Sequence, residues 1–326
     1  MKILIVAREK QRGYRCPIAP FVQEQGNALQ RAGCEVEYFI IHPRYGLLDY
    51  ILAVRNLKRH IKVYRPDIIH AHYGLSGITA RLQHHIPVVV TFHNGETHNC
   101  VVNFVSSLFS LFANHTIYVA QHIRKLLYFK SKRYSILPCG VNLEELPIVS
   151  YAEARKQLGW KNNKKYILFG GAFDNTRKNV ALLRDAVALL NRNDIEILEM
   201  KGLSRAECAL RMCACDVFAL PTLNEGSPQT IKEAMACNCP IIATDCADIA
   251  HLLGDIPGHY LLRNPSSTKE YWCKDENSVA EMAELIQLSL DFNQRTDGRN
   301  RIATLQLDNN QIAERLIEIY TKIRNK

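Results

Sequence analysis

The sequence predicts an α/β fold built of two successive doubly wound parallel-sheet units. Short apolar runs of strand length alternate with longer segments of helical spacing, which is the pattern of βαβ units. Several of the runs end in polar residues, as at His72 and His93, where open α/β sheets bind ligands. At 326 residues the chain is too long for one typical domain and suits two.

The elements follow in order. Met1 to Ala7 reads as a first buried strand, Phe21 to Ala32 as a helix stopping at Gly33, and Glu35 to Ile41 as the next strand. Arg65 to His72 and Ile86 to Gly95 give two more strands, and Ser135 to Asn142 contains the last strand of the first half. Tyr151 to Asn163, polar and helix-prone around Gly159-Trp160, is the expected boundary, giving domains 1–150 and 151–326. Beyond it come a strand at Tyr166 to Gly171, a helix from Val180 to Leu190 and a strand at Pro240 to Asp245. The tail from Asn310 to Lys326 is amphipathic, with Ile312, Leu316, Ile319 and Ile323 at helical spacing.

The richest segment lies between those last two strands. The apolar run Val217 to Leu220 ends at Pro221, turn-prone Asn224, Gly226, Ser227 and Pro228 follow, and helical spacing resumes at Ile231, Ala234 and Met235. Ser227 suits the N-cap and Pro228 the first helical position, where its missing N–H costs nothing. A helix starting there points unpaired N–H groups and the positive end of its dipole at the carboxyl edge of the sheet, a natural anion site. Glu225 precedes the helix and Glu233 lies on it, so two acceptors at different depths could grip hydroxyl groups of a sugar and of a ribose.

These residues carry a family resemblance. Glu225 and Glu233, in Glu-Gly-Ser-Pro-x4-Glu-Ala-Met-Ala, resemble the E-x7-E element of the family-four retaining glycosyltransferases, of the glycosyltransferase group 1 family. Pro66-Asp-Ile-Ile-His-Ala-His72, Thr91-Phe-His93-Asn-Gly95 and Ser135 to Asn142 resemble that family's "PDIIHAH", "T-x-HG" and "IPNGVD" segments. The resemblance implies the GT-B fold, two Rossmann-like domains facing a central cleft, with the C-terminal tail crossing back to the first. It also implies Glu225 at the transferred sugar, Glu233 at the ribose, and Gly226, Ser227 and Pro228 near the diphosphate. His93 would reach the sugar across the cleft, and backbone near Lys201 and Gly202 would read the base. The reaction implied is transfer of a sugar from a UDP- or GDP-sugar to a hydroxyl group with retained anomeric configuration.

The chain departs from the family in three places. The family's Arg after the Gly of "GR" is replaced by Ala172 after Gly171, while Lys178 matches the family Lys and Arg177 is proposed as the substitute Arg. In the N-terminal loop the frequent Gly-Gly gives way to Gln11-Arg12-Gly13-Tyr14, where acceptor contacts from Arg12, Gly13 and Tyr14 are expected. Cys246-Ala-Asp248 stands where many members carry a "GG" run and a carboxylate.

Charge is uneven. Residues 1–150 hold 18 Lys and Arg against 9 Asp and Glu, so the whole net charge of +9 lies in the first half. On the helical stretch Tyr50 to Arg65, one face carries Tyr50, Val54, Leu57, Ile61 and Tyr64, and the other Arg55, Lys58, Arg59, Lys62 and Arg65. A second basic cluster runs from Arg124 to Arg133. Such faces are either solvated or attracted to anionic lipid; nucleic acid is not expected, because no recognition motif accompanies the charge. No spanning segment or leader is read: the apolar stretch Val101 to Ala113 is too short, and Met1 leads straight into a strand.

Eleven scattered cysteines fit a reducing cytoplasm. Cys213-x-Cys215 and Cys237-x-Cys239 lack structural-zinc spacing, and His70-x-His72 lacks an obvious third ligand. No metal and no cofactor are therefore expected. Lys178, Arg177 and the helix end would carry the leaving-group charge, and the acceptor would be a glycan or a lipid-linked glycan in surface polysaccharide or lipopolysaccharide assembly. A nucleotide-sugar epimerase, an inverting GT-B enzyme and a non-catalytic carbohydrate-binding protein remain as alternatives; an epimerase would need no acceptor.

Overall fold

The computed structural model describes residues 1–9, 17–44, 46–146, 148–263 and 276–325. They form two compact units, one of residues 1–140 with 307–326 and the other of residues 141–306.

The first unit runs β1 (Lys2–Arg8), α1 (Pro20–Arg31), β2 (Glu35–Ile41), α2 (Leu47–Tyr64), β3 (Ile68–His72), α3 (Gly74–Arg81), β4 (Val88–Phe92), α4 (Cys100–Ser110), β5 (His115–Tyr118), α5 (Gln121–Leu126) and β6 (Tyr134–Ile136). Its six strands are ordered β2-β1-β3-β4-β5-β6 and pair in parallel. Because helices cover both faces, β3 and β4 are buried at every residue, which explains why the sequence shows continuous apolar runs instead of alternation. Chain order reverses between β1 and β3, so the carboxyl ends of β1 and β3 flank the crevice of this sheet.

Helix α2 keeps the two faces expected from the sequence, with apolar residues added to the outer one. Tyr50, Leu57 and Tyr64 are buried as expected, but Leu48, Ile51, Leu52 and Val63 are exposed beside Arg55, Lys58, Arg59 and Lys62. The outer face is therefore mixed apolar and basic. Two-sided apolar spacing, with a helix supported on the sheet along only one side, produces that outcome.

The second unit runs α6 (Tyr151–Leu158), β7 (Lys165–Phe169), α7 (Val180–Leu189), β8 (Ile195–Glu199), α8 (Arg205–Ala214), β9 (Val217–Leu220), α9 (Gln229–Ala236), β10 (Ile241–Thr244), α10 (Ile249–Leu253), β11 (His259–Leu262), α11 (Glu276–Phe292) and α12 (Gly298–Thr304). Five parallel strands are ordered β11-β10-β9-β7-β8, with the reversal between β7 and β9. Asp216 anchors the start of β9: its carboxylate accepts from the Tyr166 amide at 2.7 Å and forms a buried ion pair with Arg155 of α6.

That pair explains why the segment read as a boundary is not one. Ser150 caps α6 through the Glu153 amide, Gly159 ends it at φ 65°, and Arg155 ties it to β9, so α6 belongs inside the second unit. The division falls after Gly140, before the expected position at residue 150. The last helix, α13 (Asn309–Arg324), packs in the first unit against α1, burying Ile312, Ala313, Leu316 and Tyr320. Its buried stripe is rotated from the expected one, since Ile319 and Ile323 are only half-buried.

Candidate functional site: the β7–β9 crevice and the His93 turn

In the second unit the loops after β7 and β9 meet at the reversal of strand order. Lys178 points from the β7–α7 loop to Glu225 after β9, and its ammonium forms an ion pair with the Glu225 carboxylate; both side chains are mostly buried. Thr222 Oγ1 lies 3.2 Å from the same carboxylate oxygen. The two loops are also tied through backbone, the Leu223 amide donating to the Arg177 carbonyl at 3.0 Å. Gly171 lies close beside them: a Cβ there would stand 3.0 Å from Lys178 Cγ and press on the lysine stem.

The Arg177-Lys178 pair is thus divided. Lys178 turns inward to Glu225, whereas Arg177 exposes its side chain and contributes its carbonyl. Ala172 is half-buried where the family Arg would stand. Below the loop, Cys246 Sγ lies 3.9 Å from the Thr222 carbonyl, and burial followed by the charges of Glu225 and Asp245 pushes its thiol up to about 12. Ala247 after it takes φ 59°, a conformation that favours glycine, in the segment where the family carries "GG".

Helix α9 begins one residue later than the sequence suggests. Pro228 has extended backbone at ψ 119° and occupies the cap, Gln229 is the first helical residue, and Ser227 makes no capping bond. The hydroxyls of Ser227 and Thr230 are buried and without a hydrogen-bond partner among the described residues. The first turn of α9 brings Glu233 within reach of Arg205, the first residue of α8. Arg205 Nη2 donates to Glu233 Oε1 at 3.2 Å, and its Nε faces Glu145 Oε2 at 3.6 Å. Burial raises the Glu233 carboxyl above the ordinary range, opposed by Arg205 and Lys232.

Lys201 is exposed and pairs with Asp174, whose carboxyl it lowers, while Gly202 sits at φ 75°. The sequence reading missed Thr222 and Arg205. Thr222 had a signal, being the first polar residue after a buried strand. Arg205 had one too, since Ser204-x-x-Glu207 is a capping box that fixes the start of α8.

The first unit holds His93, at the carboxyl end of β4. Its Nε2 lies 3.0 Å from His72 Nδ1, its ring stacks on His72 with centroids 5.2 Å apart, and Phe21 covers it at 4.7 Å. His70, fully buried, shares hydrogen bonds with Tyr320 at 2.6 Å and Thr91 at 2.7 Å, and burial lowers its imidazole to about 3. His72 is likewise lowered, first by burial and then by its histidine neighbours. Among the described residues no group of three or more His, Cys, Asp or Glu side chains is arranged to hold a metal ion. Cys213, Cys215, Cys237 and Cys239 are buried core thiols. Arg12, Gly13 and Tyr14 lie outside the described residues. No described helix is long and apolar enough to cross a membrane.

Two parallel doubly wound units, each with its own reversal of strand order, define a GT-B-type fold. Residues 10–145 match Glycosyltransferase Family 4, and residues 198–287 match Glycosyl transferases group 1; the chain belongs to this family. It is 25% identical over 253 residues to N,N'-diacetylbacillosaminyl-diphospho-undecaprenol alpha-1,3-N-acetylgalactosaminyltransferase of Campylobacter jejuni, covering 68% of this chain and 64% of that protein. It is 25% identical over 236 residues to the putative teichuronic acid biosynthesis glycosyltransferase TuaC of Bacillus subtilis, covering 63% and 59%. The match thus spans less than two thirds of either relative. Among solved structures, sucrose-phosphate synthase from Thermosynechococcus elongatus superposes with a TM-score of 0.80 at 18% identity, covering 99% of this chain and 98% of the other. Anabaena Alr3699/HepE, solved with UDP and glucose, superposes at 0.72 with 16% identity, covering 99% and 100%.

Proposed function

We propose that this protein is a retaining glycosyltransferase, taking a sugar from a UDP- or GDP-sugar to a hydroxyl of a glycan or lipid-linked acceptor in surface polysaccharide assembly. The observation that carries this reading is the convergence of Lys178 and Glu225 at the β7–β9 reversal, with Glu233 on the helix that follows. Departure of a nucleotide diphosphate builds negative charge. Lys178 and the N-terminus of α9, with the unpartnered hydroxyls of Ser227 and Thr230, are the groups here that suit it. Gly226, Ser227 and Pro228 hold the diphosphate in this reading, and Gly171 leaves room for the Lys178 stem.

Glu225 orients the transferred sugar and Glu233 accepts from ribose hydroxyls, with Arg205 keeping that buried carboxylate charged. Lys201 and Gly202 border the base, and Arg177 reaches the phosphates by turning its exposed side chain inward. His93 acts on the same sugar, and Arg12, Gly13 and Tyr14 belong to the acceptor side. No metal ion or cofactor is needed in this scheme, because Lys178 and the helix end supply the positive charge. The attacking hydroxyl is deprotonated by the leaving phosphate, so no protein base is assigned.

The Campylobacter relative, whose name specifies a lipid-diphosphate acceptor, supports a lipid-linked acceptor here. The mixed apolar and basic face of α2 fits an anionic membrane surface, and we place the protein at the cytoplasmic side of such a membrane. The test is transfer from UDP- and GDP-hexoses to undecaprenyl-diphosphate glycans without divalent metal, with the anomeric configuration of the product read by proton NMR. Retention supports the scheme. Inversion, or an altered free sugar formed without acceptor, contradicts it.

A further inference from the structure

Glu96 is a buried acid that the scheme above leaves unused. It lies in the short turn Gly95–His98 after β4 and is fully shielded from solvent. One carboxylate oxygen accepts from the Gly74 amide, the first of α3, at 2.8 Å, and the other accepts from the His93 amide at 3.3 Å. A single side chain therefore joins the turn that follows β3 to the turn that carries His93.

Both turns contain backbone that side-chain-bearing residues rarely adopt. Tyr73, just before Gly74, has φ 79° and ψ 133°, and Asn94, just after His93, has φ 89°. Such conformations persist only where surrounding contacts over-determine them, and they concentrate at functional sites. Here the contacts are specific. The Tyr73 turn brings α3 so close to α4 that a Cβ on Gly74 would lie 2.4 Å from Ser106 Cβ. Arg8 of β1 lies over the Tyr73 ring at 4.3 Å and attracts the Glu96 charge, while burial outweighs these effects and raises the carboxyl to about 7. Arg8 from β1 and Tyr73 from the β3–α3 turn are side chains whose charge or titration acts on Glu96.

We propose that Glu96 is a positioning residue, whose two carboxylate oxygens clamp the His93 amide to the first amide of α3 and so set where the His93 ring is presented. The inference rests on the reading of His93 as a group that meets the donor sugar. A carboxylate suits this task better than an amide side chain, because each of its oxygens can accept from one N–H and neither must donate.

The experiment has two readouts. In protein labelled with 15N-histidine, the His93 amide resonance is identified by its loss in His93→Ala. The clamp predicts that this resonance titrates with a midpoint near 7 in the wild type and stops titrating in Glu96→Gln. A resonance that does not titrate, or titrates equally in Glu96→Gln, overturns the clamp. Glu96→Asp, which keeps the charge on a shorter arm, serves if the glutamine variant does not fold. The second readout is nucleotide release from UDP-glucose or GDP-mannose, whichever the wild type consumes. Misplacing a reacting group by about 1 Å costs on the order of 100-fold, so Glu96→Gln should lower kcat by about that factor with KM little changed. Combined with His93→Ala it should add almost nothing further. Fully additive losses overturn the action through His93. A silent His93→Ala variant overturns the reading of His93 and not the clamp, which the amide titration decides alone.

Discussion

Lys178 and Glu225, 47 positions apart in sequence, form an ion pair where the loops after β7 and β9 meet. With Ala172 where the family carries Arg, the lysine of that loop is held in the crevice by the carboxylate beside it. Both side chains are mostly buried, so removing either one leaves the other charge poorly compensated.

Lys178→Met should lower turnover by about 100- to 1,000-fold, the range seen when one preorganised donor to developing charge is removed. Arg177→Ala, at an exposed side chain, should cost far less. Steady-state rates for both variants check this, and equal losses would show that Arg177, once turned inward, contributes as much as Lys178.

Glu225→Ala should reduce turnover more than it reduces affinity for free nucleotide, whereas Glu233→Gln should weaken nucleotide binding by about 10- to 100-fold, the value of hydrogen bonds to a charged group. Calorimetric titration with UDP and GDP separates the two. Equal and negligible effects would remove the site assignment.

Arg205→Met should shift the pH dependence of nucleotide affinity. Burial already raises the Glu233 carboxyl and Arg205 opposes it, so removing the guanidinium raises it further. The rise of affinity with pH, as the carboxyl loses its proton, should therefore shift to higher pH than in the wild type. An unshifted profile in the variant would show that Arg205 does not govern the charge of Glu233.

Acid should destabilise the first unit through His70. Its folded-state value of about 3 lies below the ordinary 6.5, so the unfolded chain binds a proton that the folded chain refuses. The sign is therefore a stability present above pH 6.5 and lost progressively as pH falls toward 3, about 2 kcal/mol by pH 5. Tyr320→Phe should cost about 1 to 3 kcal/mol at pH 7.5 by stranding the His70 nitrogen. Urea unfolding across pH 5 to 8 measures both.

The α2 face should bind anionic lipid. At about 1 kcal/mol per basic residue near the surface, replacing Lys58, Arg59 and Lys62 together by Gln should weaken binding to phosphatidylglycerol vesicles about 100-fold, with no change for phosphatidylcholine. Vesicle sedimentation at low and high salt reads this directly. Unchanged binding would mean that the face is simply solvated.

Much of the fold was legible because parallel sheets covered on both sides demand continuous apolar runs, and β3, β4 and β9 are written that way. Glu225 and Glu233 were legible because a strand, a Gly-Ser-Pro turn and a helix bracket them. What stayed hidden depends on partners distant in sequence. Nothing local to Arg155 says that it pairs with Asp216, yet that pair moves the unit boundary. Likewise Glu96 reads as an ordinary turn acid until Gly74 and His93 are seen to donate to it. The helix start slipped by one residue because Pro228, fitting both the cap and the first helical position, takes extended backbone.

Nucleotide-sugar binding in the β7–β9 crevice should depend on Glu233. A thermal-shift screen of UDP, GDP, ADP and their sugars against wild type and Glu233→Gln tests it most directly, since a ligand selective for the folded state raises the melting temperature. A shift should appear with one base, independent of divalent metal and lost in the variant. A shift with none of them, or one that survives Glu233→Gln unchanged, would contradict it.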